Sequence, residues 1–338
     1  MKFPLIVLTI VVAVIAGFFS VYFIPEILNQ KLQEIKTEAP KPKPLEKYTY
    51  DNLSKAEFEP SELTFGEILK DEESFTSRKF YFQVEGKKVS GLINVPKIPS
   101  TYPVILMIRG FVEKEIFQSG VGTQRAGEYF AQNGYITIAP DFLGYGESDK
   151  PSDLAIEERF QTYVTILTLL KSLPNLDSSL ATNHSSLQSD SSRIGIWAHS
   201  NGGQIAISTL EITGADYPTV LWAPVSKPFP YSILYYTDEF EDRGKSLRRV
   251  VAEFEADYDI EAFSPFNFYD RINAPIQLHQ GTADDAVPPK WSDNLNKSLT
   301  DLEKNVEYYK YPGADHNLNP DWNIAVGRSL NFFQEKLK

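Results

Sequence analysis

Hydrophobic positions along the chain change their period from segment to segment. Leu5 to Ile24 is an unbroken apolar run of 20 residues without a charge, enough at about 1.5 Å per residue to cross a hydrocarbon core of about 30 Å. Residues 1–25 therefore read as an N-terminal membrane anchor. A cleaved signal peptide competes with that reading, with Val14 and Ala16 as small-residue cleavage positions, although the apolar run continues past Ala16. Lys2 ahead of the run favours an inside N-terminus and an extracytoplasmic remainder. Residues 26–62 are polar, and prolines 40, 42 and 44 impose extended geometry, so this segment reads as a semi-rigid stalk. A proline-rich recognition peptide is the alternative.

Beyond residue 62 strands and helices alternate. Residues 79–85 and 88–96 read as strands, and 101–111 holds a continuous apolar run typical of a strand buried on both faces. Helical spacing follows over 124–133, then a buried strand at 135–141 and an amphipathic helix over 155–172. Strand 193–198, helix 202–213, strand 218–224, strand 275–281, helix 289–302, strand 305–312 and helix 322–337 complete the series. Such alternation predicts an α/β fold over 63–338: a mostly parallel sheet flanked by helices, with the active site at the carboxyl ends of its strands. Two segments break the rhythm. Residues 177–192, rich in Ser, Asn and Asp, read as a surface loop. About 226–262 read as a helical lid insertion, too long for a simple connection.

Composition narrows the chemistry. With 33 Lys and Arg against 45 Asp and Glu, the formal charge is -12, and no basic run tracks a phosphate backbone, so nucleic acid is not an expected partner. No cysteine is present, which removes disulfides, thiolate zinc sites and cysteine nucleophiles, and four histidines leave no room for a dense metal cluster. Neither metal nor organic cofactor is expected.

The strongest local signal is IGIWAHSNGG, residues 194–203, in which an apolar strand enters a sharp turn at Ser200 and leaves through two glycines into a helix. This is the pattern of a nucleophile elbow, in which a strained serine projects above the sheet and small residues on either side let the backbones pass. A serine in an ordinary strand-to-helix turn would give the same local pattern. Two later segments separate these readings. Asp284 stands just beyond the strand 275–281, and His316 just beyond the strand 305–312, so the chain order Ser, Asp, His puts all three at one sheet edge. In this reading His316 takes the Ser200 proton, and Asp284 fixes the imidazole tautomer and stabilises the cation. Asp285 competes with Asp284 for the acid's place. Asp141 could also supply the acid, although for it and Ser148 turn capping is the simpler role. An oxyanion would be met by the Asn201 N–H at its helix start and by the Phe111 N–H, with Gly110 letting the backbone approach. His184, His199 and His279 have no acid and nucleophile arranged around them.

Together these segments resemble the catalytic domain of the prolyl oligopeptidase family of serine peptidases, within the α/β-hydrolase superfamily. PDFLGYGESD, SNGG after the elbow, SPFNFYDRINAPIQLHQGTADDAVP and GADHNL occur in the family's order, from roughly Phe80 onward. The resemblance implies Ser200 as nucleophile, the first Asp of Asp-Asp, Asp284, as acid, and His316 as base. Ala198 stands where the family usually has Gly, and Gln280 where it often has His. The larger peptidases carry a β-propeller, which the residues between anchor and first strand cannot build. Small peptides are the implied substrates, with esters as the alternative and a catalytically silent tethered binding module as a third. Lid aromatics Tyr235 and Tyr236, with Phe229 and Tyr231, would shape a substrate pocket or serve packing. Glu239, Glu241 and Asp242 would meet a peptide amine or form a solvated turn.

Overall fold

The computed structural model describes residues 23–31, 42–183 and 187–338. Two compact units result, Met1–Pro44 and Leu45–Lys338. In the first, residues 23–31 are helical. Most of the expected membrane span, residues 5–22, lies outside the described residues, and among those described no helix is long and apolar enough to cross a membrane.

The second unit is built on one nine-stranded sheet in the order β1-β2-β3-β5-β4-β6-β7-β8-β9. The strands are β1 (Thr64–Asp71), β2 (Phe75–Val84), β3 (Lys87–Pro96), β4 (Thr101–Ile108), β5 (Ile136–Pro140), β6 (Gln188–His199), β7 (Thr219–Trp222), β8 (Ile276–Gly281) and β9 (Val306–Tyr311). Strands β1 to β3 are antiparallel neighbours, β3 pairs antiparallel with β5, and every later pair is parallel. This unit's helices of six or more described residues are α1 (Tyr50–Lys55), α2 (Gln124–Gln132), α3 (Ala155–Ser172), α4 (Leu176–Asn183), α5 (Asn201–Thr213), α6 (Lys245–Asp257), α7 (Pro289–Asp301) and α8 (Trp322–Lys336).

Strand alternation sorts the core into two layers. On β4, Val104, Leu106 and Ile108 join a core packed by α3 and α5, whereas Ile105 and Met107 join the opposite one with Phe130 of α2 and Phe333 of α8. Helix α5 is buried around its whole circumference from Gly202 to Ile212, as expected of a helix enclosed by other elements. Its hydroxyls turn back to the helix: Ser208 and Thr209 Oγ donate to the carbonyls of Gln204 and Ile205 at 2.8 Å. The helix behind the elbow therefore needs no outside partner for them.

Three expectations change. The expected stalk over 26–62 does not include residues 45–62, because the larger unit begins at Leu45 and buries Tyr48, Tyr50 and Leu53 in its core. Tyr50 stacks on Phe268 at 4.8 Å and its hydroxyl bonds Ser208 Oγ at 2.6 Å, so this stretch belongs to the body. The expected loop over 177–192 is largely regular: α4 occupies its start, and Gln188 to Asp190 extend β6 by pairing with Thr101 to Pro103. His184 lies outside the described residues. In the insertion, Phe229, Phe254 and Phe263 pack around Phe160 with ring centroids 5.7, 5.9 and 5.1 Å away, which anchors this segment in the core.

Candidate active site

Strand β6 delivers its last residue, His199, to the carboxyl edge of the sheet, and the next residue reverses the chain. Ser200 has φ 56° and ψ −123°, a strained conformation for a side-chain-bearing residue that costs about 1–3 kcal/mol. Backbone bonds hold it there. The Ser200 N–H donates to the Trp222 carbonyl, and its own carbonyl accepts from the Gly203 and Val225 N–H groups, each at 2.9 Å. A Cβ on Gly202 would sit 2.2 Å from the Ile108 carbonyl oxygen, so only glycine lets α5 pass β4 this closely. Ala198 is fully buried between Ile108 and Leu221, and its methyl is accommodated.

The loop after β4 closes on the serine from the other side. A Cβ on Gly110 would fall 2.8 Å from the Ser200 Cβ, so the backbone leading to Phe111 runs directly past the hydroxyl. Asn201 opens α5, where an N–H has no intrahelical acceptor and the helix dipole favours negative charge. The Phe111 ring is 67% exposed, leaving this loop open to a ligand.

Asp284 follows β8 and His316 follows β9, its parallel neighbour. His316 Nδ1 lies 2.9 Å from Asp284 Oδ2. Asp284 Oδ1 accepts the N–H groups of Ala286 at 3.0 Å and Val287 at 2.8 Å, and Oδ2 also accepts from Gln280 Nε2 at 2.9 Å. Burial pushes the carboxyl pKa up, but the bonds from His316, Val287 and Gln280 outweigh it and hold it below the ordinary carboxylate value. An ionised carboxylate only accepts, so a His316 proton sits on Nδ1, and in the neutral imidazole Nε2 is the acceptor. Asp285 is exposed. Ser200 Oγ and His316 make no direct hydrogen bond; such contacts often tighten only with substrate present.

His199 joins the two ends of this arrangement, a role its sequence context did not disclose. Its ring lies 4.6 Å from that of His316, and its Nε2 is 3.0 Å from the His316 carbonyl. A carbonyl only accepts, so Nε2 carries the proton. Burial, then the neighbouring His316, push the His199 pKa down to about 4, which keeps it neutral near pH 7. Gln280 is the second such support: Ser292 Oγ donates to its Oε1 at 2.7 Å and turns its amide toward Asp284.

The remaining candidates separate cleanly. Asp141 is buried and accepts from Ser90 and Ser119 hydroxyls at 2.6 Å, while Ser148 Oγ accepts the Ser90 N–H at 2.9 Å; both organise the loop after β5. Buried His279 bonds Tyr311 and Gln277, and burial lowers its pKa to about 3. Asp242 caps α6 through the Gly244 and Ser246 N–H groups, and Glu241 is exposed. Tyr235 and Tyr236 stand edge-on to Trp291, with centroids 4.8 and 6.2 Å away. Trp291 forms a small apolar cluster with Val225 and Val287, packed against Tyr236, beside the backbone that fixes Ser200 and Asp284. Among the described residues no group of three or more His, Asp or Glu is placed to hold a metal ion.

Residues 179–338 match the prolyl oligopeptidase family and residues 79–216 the chlorophyllase family. An uncharacterized peptidase, YtmA of Bacillus subtilis, is 28% identical over 250 residues, covering 72% of this chain and 88% of its own. Acetyl xylan esterase 1 from Thermoanaerobacterium sp. JW/SL YS485 superposes with a TM-score of 0.55 at 16% identity, over 90% of this chain and 98% of that one. The acylaminoacyl peptidase of Pyrococcus horikoshii gives 0.57 at 19% identity, over 79% of this chain but only 42% of the peptidase. The chain is a serine hydrolase with the α/β-hydrolase fold, similar to the catalytic domain of the prolyl oligopeptidase family.

Proposed function

We propose that Ser200, His316 and Asp284 form a catalytic triad that cleaves a small acyl substrate through an acyl-enzyme. The observation that carries this reading is the bond between His316 Nδ1 and Asp284 Oδ2, because it turns His316 Nε2 away from the carboxylate, while His199, the residue before Ser200, bonds the His316 carbonyl. Ser200 Oγ attacks the substrate carbonyl as its proton passes to His316 Nε2. The N–H groups of Asn201 and Phe111 stabilise the tetrahedral oxyanion. His316 then returns the proton to the leaving amine or alcohol, and the Ser200 ester remains. Water, deprotonated by the same nitrogen, attacks that ester, releasing the acid and restoring the hydroxyl.

Short peptides are the first substrate reading, supported by the family match and by the relative named as a peptidase. Esters are the second, supported by a likeness to acetyl xylan esterase over that enzyme's whole length, against under half of the acylaminoacyl peptidase. A paired assay of prolyl-peptide anilides and short p-nitrophenyl esters decides between them by kcat/KM. In either case Ser200→Ala removes turnover by roughly 10⁴-fold or more; undiminished turnover contradicts the nucleophile assignment.

The body is further proposed to be tethered to a membrane by residues 1–25 and to lie on its extracytoplasmic side, a reading supported by the charge-free run Leu5 to Ile24. Alkaline carbonate washing tests it: full-length protein stays with the membranes, and its release into the wash contradicts a spanning anchor.

A further inference from the structure

A cavity of about 330 Å³ opens beside the candidate oxyanion loop, with Gly110, Phe111, Asn201, Arg159 and Gln204 among its walls. Gly110 and Asn201 both flank Ser200, so the cavity begins where a bound acyl substrate would extend. Its polar lining is unusual in sign. Arg159 Nη2 donates to Asn201 Oδ1 and to Gln204 Oε1, each at 3.2 Å, while its Nε–H is buried without a partner. The Gln204 oxygen must face Arg159, which turns its NH₂ away, and Gln204 Nε2 is buried and unpartnered in a residue only 1% exposed. Arg109 Nε, in the same wall, is a third unpartnered buried donor.

Among the described residues no carboxylate forms an ion pair with Arg159. Its helix neighbour Glu158 is bound to Lys114 at 3.0 Å, and the groups acting on Arg159 are the tyrosines 163, 50 and 236. Arg109 differs: it donates to the Gly110 and Asp141 carbonyls, packs over the Tyr145 ring at 4.0 Å, and has Asp141 beside it. One guanidinium without a counter-charge, joined by neutral donors, is complementary to a monoanion with two acceptor oxygens. Leaving such donors buried and unmet is costly, and a ligand that meets them recovers that cost.

We infer that this cavity is a carboxylate subsite, in which Arg159 and Gln204 hold an anionic group of the substrate while Ser200 attacks its ester or amide carbonyl. The inference rests on the proposed hydrolase reading for its chemistry, but not for the binding itself. Arg159 and Gln204 act on specificity, and the carboxylate takes no part in bond making.

Matched esters test it in the full-length protein: 4-nitrophenyl hydrogen adipate against 4-nitrophenyl methyl adipate places the charge on the acyl side, and 4-carboxyphenyl against phenyl butyrate places it on the leaving group. In at least one pair the charged ester is preferred, and Arg159→Gln lowers the ratio of charged to neutral kcat/KM by about 10- to 100-fold, the change that losing a charge-assisted hydrogen bond brings. Arg159→Lys restores part of the ratio, and fluorophosphonate titration normalises every variant for folded sites. Calorimetry with monomethyl adipate on Ser200→Ala protein reads binding without turnover, and Arg159→Gln in that background abolishes it. Charge preference that is absent in both pairs, together with no carboxylate binding to Ser200→Ala, overturns the subsite. Carboxylate binding that needs Arg159, in a protein that cleaves neither ester pair, upholds the subsite and fails the hydrolase reading instead.

Discussion

Single side chains set the proton positions on which the proposed chemistry depends. The Asp284 carboxylate holds the His316 tautomer from a buried site, so Asp284→Asn is expected to lower kcat by about 10³- to 10⁴-fold with the backbone retained. Because the folded pKa of Asp284 is depressed, its contribution to stability is present above the ordinary carboxylate range and is lost as pH falls through it. The melting-temperature gap between wild type and Asp284→Asn should therefore narrow below about pH 4. His199 acts one step further out, on the His316 backbone. His199→Phe removes the donor to the His316 carbonyl and is expected to cost about 3- to 10-fold in kcat, the worth of one neutral hydrogen bond. Since burial pushes the His199 pKa down to about 4, the variant's pH–rate profile should keep the wild-type shape above pH 5. The three residues proposed as a triad stand out by their neighbours in sequence, but His199 does not, because its bond runs to a loop 117 residues away that no local pattern brings alongside.

Secondary-structure elements fix where those side chains stand. Parallel β6, β8 and β9 end at one edge, and helix α5 starts against β4 at a separation that Gly202 alone permits. Gly202→Ala is expected to destabilise the protein by at least about 1–3 kcal/mol and to abolish fluorophosphonate labelling, read by thermal melting and gel fluorescence together. Helix α5 also buries Glu211, whose two carboxylate oxygens have no partner, and burial drives its pKa well upward. A raised acid pKa penalises the folded state above the unfolded value and the penalty disappears as pH falls below it. Glu211→Gln should thus raise the melting temperature at pH 7 and lose that advantage below about pH 4. Buried strands and long helices were readable because their apolar runs are continuous. Strand β1 was not, since it is an edge strand with Ile68 and Leu69 exposed, and α4 was hidden by a composition that favours loops.

At the scale of the whole molecule, the body begins at Leu45. Deleting residues 1–44 should leave the melting temperature within a few degrees of wild type, whereas deleting 1–62 removes Tyr48, Tyr50 and Leu53 from the core. Losing three buried side chains at about 2–5 kcal/mol each is enough to unfold a domain of ordinary stability. Differential scanning fluorimetry of the two truncations checks this, and equal melting temperatures would place residues 45–62 outside the body. Lysines and prolines up to residue 44 gave this stretch the look of a stalk, and the tyrosines just beyond them carried the contrary signal. Covalent labelling addresses the central claim most directly. After reaction of the full-length protein with a fluorophosphonate, peptide mass mapping is predicted to find the phosphonate on Ser200, with labelling lost in Ser200→Ala and slowed strongly in His316→Ala. A phosphonate on another residue, or equal labelling of wild type and Ser200→Ala, would contradict it.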